Sequence, residues 1–178
     1  MSTDHPEIHI RRARIADVPV IKQLVDADAG RVLLEKELVT LYEHVQEFWV
    51  AELDAHVVGA GALHVLWNDI AELRTIVVDR SARGHGVGHA LVQRLIDLAA
   101  ELGLPRVFVL TFEKHFFSQH GFEEITGAPV SAEVYEQMRH SRDTGVYEFL
   151  DLPAVKPNTL GNSRMLLTLG DSPGHVTR

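Results

Sequence analysis

The chain has 178 residues, 46% of them hydrophobic and 24% charged, with a formal net charge of −8 and no cysteine. That length fits one domain with a substantial core. The missing cysteines exclude disulfides, thiol nucleophiles and thiolate metal sites, and the negative charge argues against nonspecific nucleic-acid or anionic-membrane binding while still allowing a local positive pocket.

Residues 1–7 are expected as a flexible tail, and Met1-Ser2-Thr3-Asp4-His5-Pro6 shows no signal pattern. Ile8 to Arg11 alternates with period two, as a strand does. Asp17, Val18 and Pro19 then open a helix, with Val18, Ile21, Leu24 and Val25 on one face and Gly30 as its stop. A second helix is expected over Leu33 to Gln46, with Leu34, Leu38, Leu41 and Val45 at helical spacing. Phe48 to Leu53 and Val57 to Leu66 read as a hairpin turning at Asp54-Ala55-His56. Ile70 to Val78 is the next strand. A glycine-rich loop follows, then a helix with Val87, Leu91, Leu95 and Leu98 on one face.

Arg106 to Thr111 has a continuous apolar centre and suits a central strand buried on both faces. Strand, helix and strand in this order imply a parallel pair with a right-handed crossover. A short helix from about Lys114 to His120, a strand from Phe122, a helix over Ser131 to His140, a loop over Asp151 to Asn158 and a last strand over Ser163 to Leu169 complete the domain. Residues 170–178 are expected as a second flexible tail. The fold class is therefore α/β, a mixed sheet with an antiparallel N-terminal half and a central parallel pair, flanked by helices. No apolar run approaches the roughly 20 residues of a spanning helix, so a cytoplasmic protein with no membrane partner is expected.

The loop carries the chemistry. Arg83-Gly84-His85-Gly86-Val87-Gly88 lies between a strand and a helix start, so backbone N–H groups and the positive helix end converge on one place. That is a site for phosphate. A nucleotide P-loop needs Lys followed by Ser or Thr after its last glycine, but His89-Ala90 stands here. The dinucleotide fingerprint needs a glycine at its sixth place, and counting from Gly84 that place is His89. His85, His89, His115 and His120 have no acidic or thiolate partners at metal-ligand spacing, so no metal is expected.

With the preceding strand, the amphipathic helix after it and Gly121-Phe122 downstream, Arg83 to Gly88 resembles the Arg/Gln-x-x-Gly-x-Gly signature of the GNAT superfamily of acyl-CoA-dependent N-acyltransferases, over residues 8 to 169. The resemblance implies acetyl-CoA as co-substrate. Its pyrophosphate would lie on Gly84, His85, Gly86, Val87, Gly88 and His89, with Arg83 adding a charged contact. Its pantetheine arm would lie along Ile76, Val77 and Val78, a backbone N–H there polarising the thioester carbonyl. An amine acceptor is mostly protonated at pH 7 and needs a general base, a place the family often gives to a glutamate, here Glu72. The family's usual tyrosine acid is replaced by Phe117, which donates no proton. Thr111 is the candidate donor to the departing sulfur.

The same region, Leu110-Thr111-Phe112 and Phe116 to Phe122, together with Leu33 to Lys36, Glu47 to Val50, Leu152-Pro153, Lys156 and Asn162-Ser163-Arg164, is similar to the acetyltransferase domain of N-acetylglutamate synthases. That likeness implies an amino-acid acceptor, L-glutamate first, whose carboxylates would meet Lys36, Arg74, Asn162, Ser163 and Arg164, with His64 as a further contact. The family's basic residue before the Asn is Gly161 here, so Arg164 would substitute and glutamine stays open as acceptor. Many such synthases carry an amino-acid-kinase-like domain through which arginine inhibits; the few residues before the first strand hold none, and that feedback is not expected. A homodimer is compatible with the pattern. Acetylation of a protein or other amine, and a non-catalytic acyl-CoA sensor, are the alternatives.

Overall fold

A computed structural model describes residues 7–28, 36–152 and 161–170. Seven strands form one sheet in the order β1-β2-β3-β4-β5-β7-β6. They are β1 (His9–Arg12), β2 (Phe48–Leu53), β3 (His56–Trp67), β4 (Ile70–Val78), β5 (Arg106–Thr111), β6 (Glu123–Ile125) and β7 (Ser163–Thr168). The helices are α1 (Val18–Asp28), α2 (Leu38–Glu43), α3 (Val87–Glu101), α4 (Lys114–Ser118), α5 (Ala132–Met138) and α6 (Thr144–Phe149). The expected mixed sheet is observed: β1, β2 and β3 are antiparallel neighbours, and β4 and β5 are the parallel pair. The chain divides into two compact units, described separately below.

The first unit comprises the described residues within 1–64 and 73–102. Its hairpin turns at Asp54 and Ala55, whose φ values of 48° and 62° are those of a type I′ turn. One core packs Val18, Ile21, Leu24 and Val25 of α1, as their spacing demands, against Phe48 and Val50 of β2 and Ala60 and Ala62 of β3. The expected second helix is shorter than its apolar spacing suggested. Residues 31–35 lie outside the described residues, α2 begins at Leu38, and Val45 sits in a separate 3-10 turn (Val45–Glu47). Leu41 and Val45 are buried, but Leu38, in the first turn of so short a helix, is 42% exposed. Gly59 and Gly61 of β3 let α3 approach: a Cβ at Gly59 would lie 3.0 Å from Leu91, and one at Gly61 would lie 3.1 Å from Leu95.

A half-buried ion network ties β1 to β2. The Arg11 guanidinium grips both oxygens of Asp17, at 2.7 and 3.0 Å, and reaches Glu52 through Nε at 2.8 Å and Nη2 at 2.6 Å. Arg11 first of all holds the carboxyls of Asp17 and Glu52 below their ordinary values. Lowered folded-state values mean the network stabilises above the ordinary carboxylate range and that this stability is lost as pH falls through the lowered values. Arg11→Ala strands two carboxylates and is expected to cost about 2–3 kcal/mol, below the figure for a fully buried pair because all three side chains keep some solvent access. It is also expected to flatten stability against pH below the ordinary carboxylate range, where Asp17 and Glu52 would take up protons. Urea denaturation at pH 7 and pH 3 measures both effects; an equal gap between the two proteins at each pH would contradict them.

The second unit comprises the described residues within 65–72 and 103–178. Its core gathers Leu66, Ile70, Phe108, Met138, Val146, Phe149 and Leu150. β7 pairs antiparallel with β5, Phe108 opposite Leu166 and Thr111 opposite Ser163, and on its other side with β6. Helix α6 was not expected. Asp143 caps it by accepting the Val146 N–H at 3.0 Å, and Val146 and Phe149 anchor it in the core.

Candidate active site

In the first unit, the glycine loop runs from the end of β4 into α3. Asp79 starts it by accepting from Ser81 N at 2.8 Å and from Ser81 Oγ, contacts that hold its carboxyl below the ordinary range. Arg83 to Gly86 are exposed. Gly84 and Gly86 take φ values of 80° and 82°, the left-handed region open to glycine. Gly86 is the N-cap of the 15-residue α3, whose first helical bond runs from Ala90 N to Gly86 O at 3.0 Å. The N–H groups of Val87, Gly88 and His89 belong to the first turn, which has no intrahelical acceptors for them. Gly88 lies inside the helix and needs no left-handed backbone. His85 turns its ring back to the loop, Nδ1 lying 3.3 Å from Ala82 O and 3.1 Å from Arg83 O.

Arg83 is already engaged. Its Nη2 donates to Oδ2 of the buried Asp28 at 2.6 Å, and its Nε donates to Val78 O at 3.3 Å. Asp28 ends α1, where a carboxylate opposes the helix dipole, so the guanidinium offsets a local charge as well as flanking the loop.

Thr75, one residue before the expected pantetheine strand Ile76 to Val78, has φ of 56° and is buried. For a β-branched residue that is a true outlier, worth roughly 1–3 kcal/mol of strain. A left-handed residue inside a strand locally disrupts the regular ladder. No local signal announced it, because threonine favours strands. Beyond it, Val77 is buried and Ile76 and Val78 are partly buried.

His64 lies on β3 with Nδ1 2.9 Å from Glu47 Oε1, and the His44 ring stands edge-on to it at 6.2 Å. Lys36 precedes α2 and is partly exposed; Arg74 on β4 is partly buried.

In the second unit, Glu72 is 4% exposed and Thr111 is buried. Thr111 Oγ1 accepts the Glu113 N–H at 2.9 Å; its own hydroxyl hydrogen is not used by that bond. Phe117 belongs to an aromatic cluster, edge-on to Phe116 at 5.1 Å and to Phe122 at 5.5 Å, so the usual tyrosine position is part of the core. Asn162 and Ser163 are partly buried. Lys114 and, more weakly, Ser163 hold the Glu124 carboxyl below its ordinary range. Gly161, at φ of 83°, stands where the basic residue would be, and a Cβ there would lie 3.2 Å from the Phe112 ring. Lys156 lies outside the described residues.

Arg164 is placed differently from a free substrate contact. Its Nε donates to Gly127 O at 2.9 Å, Nη1 to Glu148 O at 3.1 Å and Nη2 to Phe149 O, and its guanidinium lies over Phe108 at 5.0 Å. It closes the C-terminal end of α6, where a cation also complements the dipole. Burial lowers its pKa, against the charges of Asp151 and Glu72. Arg164→Met is expected to leave the Gly127 and Phe149 carbonyls without this donor, while Glu148 O keeps the Asp151 N–H at 3.1 Å, and to cost about 2–3 kcal/mol. A change below about 1 kcal/mol in urea denaturation would contradict that.

An exposed glycine loop leads into the head of α3, after a strand that holds the left-handed Thr75, an arrangement that suits a phosphate-bearing ligand. The Acetyltransferase (GNAT) family model matches residues 20–127. An amino-acid acetyltransferase of Mycobacterium tuberculosis is 65% identical over 163 residues, covering 90% of this chain and 94% of that one. The chain belongs to the GNAT acetyltransferase family. A Mycobacterium tuberculosis protein solved in complex with CoA and NLQ superimposes with a TM-score of 0.89 at 64% identity, covering 91% of this chain and 99% of that one. N-acetylglutamate synthase of Neisseria gonorrhoeae, solved with coenzyme A and N-acetyl-glutamate, shares the fold at a TM-score of 0.73 and 23% identity, over 92% of this chain and 35% of that one. Among the described residues no His, Asp and Glu cluster suited to a metal is present, and no helix is long and apolar enough to cross a membrane.

Proposed function

We propose that this chain transfers the acetyl group of acetyl-CoA to the α-amino group of an amino acid, L-glutamate first, by direct attack in a ternary complex. This is N-acetylglutamate synthase activity, the entry to arginine biosynthesis, carried out in the cytoplasm by one domain over residues 8–169. The observation that carries it is the 65% identity to an amino-acid acetyltransferase across nearly the whole of both chains. The complex of a 64% identical protein with CoA supports acetyl-CoA as donor.

The backbone N–H groups of Gly84 to His89 would hold the pyrophosphate, Arg83 adding charge from its anchorage on Asp28. Ile76 to Val78 would pair with the pantetheine amides, and an N–H beside the Thr75 irregularity would stabilise the oxyanion. Glu72 would take the amine proton. Thr111 would donate a hydrogen bond from its hydroxyl to the departing thiolate, keeping its proton. Lys36, Arg74, His64, Asn162 and Ser163 would meet the acceptor, and Arg164, bound to α6, would act through its field and by shaping the wall.

Glutamine is the second reading. With Arg164 spent on carbonyls and Gly161 plus Phe112 where a basic residue would stand, fewer cations remain for a side-chain carboxylate. The test is a panel of amino acids, a polyamine and a lysine peptide, each with acetyl-CoA, ranked by kcat/KM. Glutamate or glutamine at the head supports the proposal. A peptide or polyamine at the head would replace it, and acetyl-CoA binding without CoA release would make the chain a sensor.

A further inference from the structure

Acetylation of an amino acid liberates two protons from nitrogen. The ammonium must lose one to expose its lone pair; nitrogen then attacks the thioester carbon, the C–S bond breaks with its electron pair leaving on sulfur, and the new amide nitrogen sheds the second. Glu72 accounts for one. We propose that His64 is a catalytic residue that accepts the other, with Glu47 as its positioning residue. The proposal rests on the amino-acid reading above.

The geometry is that of a carboxylate–imidazole pair. Glu47 ends the 3-10 turn before β2, and His64 lies on β3, 17 residues further along the chain, yet Nδ1 and Oε1 are 2.9 Å apart. A carboxylate accepts only, so Nδ1 carries the hydrogen, and in the neutral ring Nε2 keeps the lone pair that can accept a proton. When Nε2 takes a proton, the Glu47 charge stabilises the imidazolium that forms, the service a buried carboxylate gives the histidine of a hydrolase triad.

Position supports the role. Ala60 and Ala62, four and two residues before His64 and on the same face of β3, are buried in the core with residues of α1 and α2. At His64 that cover ends: its side chain is 16% exposed, open enough to meet a ligand and shielded enough for the Glu47 charge to act. It is the first titratable side chain on that face after Ala60 and Ala62. The titratable groups set against it are Glu47, 28% exposed, and the His44 ring at the end of α2, whose Nδ1 lies 2.8 Å from Thr40 O. A histidine kept only for packing would not need a carboxylate from another element to fix its tautomer.

The test uses the full chain with acetyl-CoA and the best amino acid of the panel, following CoA thiol release. His64→Ala is expected to lower kcat about 100-fold, with the KM for acetyl-CoA within twofold, and free imidazole is expected to restore part of the rate. Glu47→Gln keeps an oxygen that accepts the Nδ1 hydrogen but removes the charge; it is expected to lower kcat about tenfold, whereas a purely structural hydrogen bond would survive the change. A kcat within twofold of wild type in both variants overturns the proposal and leaves the amino-acid reading intact. Absence of release by the wild-type protein with every amine overturns both. Should His64→Ala fail to fold, Glu47→Gln decides alone: a tenfold loss supports the pair, and an unchanged kcat refutes it.

Discussion

Gly86→Glu is expected to raise the KM for acetyl-CoA about 100-fold while leaving kcat at saturation within about threefold. Gly86 has φ of +82°, a conformation that costs an L-residue roughly 1–2 kcal/mol. The protein itself has room for a side chain there, the nearest atom to a new Cβ being Ile8 Cδ1 at 3.9 Å, so the variant is expected to fold with modestly lowered stability. The new carboxylate would sit at the N-cap of α3, where the dipole favours it. It would occupy the place and the charge preference proposed for the pyrophosphate. Loss of donor binding that is equal in ground and transition states appears in KM alone. Gly86→Ala carries the strain without the charge, and a rise of about tenfold is expected. Initial rates against acetyl-CoA at saturating acceptor separate the two. An unchanged KM in Gly86→Glu would remove the loop from the donor site.

Glu72→Gln is expected to lower kcat by about 10²- to 10⁴-fold, the usual worth of a positioned general base. The substitution nearly conserves volume at a site 4% exposed, so folding and acetyl-CoA binding are expected to persist. The residual rate is expected to climb about tenfold per pH unit between pH 7 and 9, because without its base the enzyme must capture amine already deprotonated in solution. The wild-type rate is expected to climb less. A variant with unchanged kcat, or with the wild-type pH profile, would take Glu72 out of proton transfer.

Much of the fold was legible because its signals are local. The apolar spacing of Val18, Ile21, Leu24 and Val25 marked α1, the same spacing after the loop marked α3, and the unbroken apolar run of β5 marked a central strand. The glycine loop was legible for the same reason: its spacing and its place between strand and helix lie within a dozen residues. Pairings between distant residues were not legible. Nothing in the chain near Arg164 shows that its guanidinium closes α6, 15 and 16 residues earlier. Arg83 meets Asp28 across 55 residues, and His64 meets Glu47 across 17. Helix α6 was hidden by its six-residue length and by Gly145, although Asp143 is a good N-cap. The left-handed Thr75 contradicts its own β-propensity, so only the assembled sheet reveals it. For the candidate site, the place and backbone of the glycine loop could thus be read from the sequence, whereas where the Arg164, His64 and Phe112 side chains turn could not.

The most direct test of the central claim is CoA thiol release by the purified chain with acetyl-CoA, with and without L-glutamate or L-glutamine, the product identified by mass. The expected result is saturable, acceptor-dependent release with one N-acetylated amino acid formed per CoA. Release at the same rate without any amino acid, or no release at millimolar concentrations of either acceptor while acetyl-CoA binds, would contradict it.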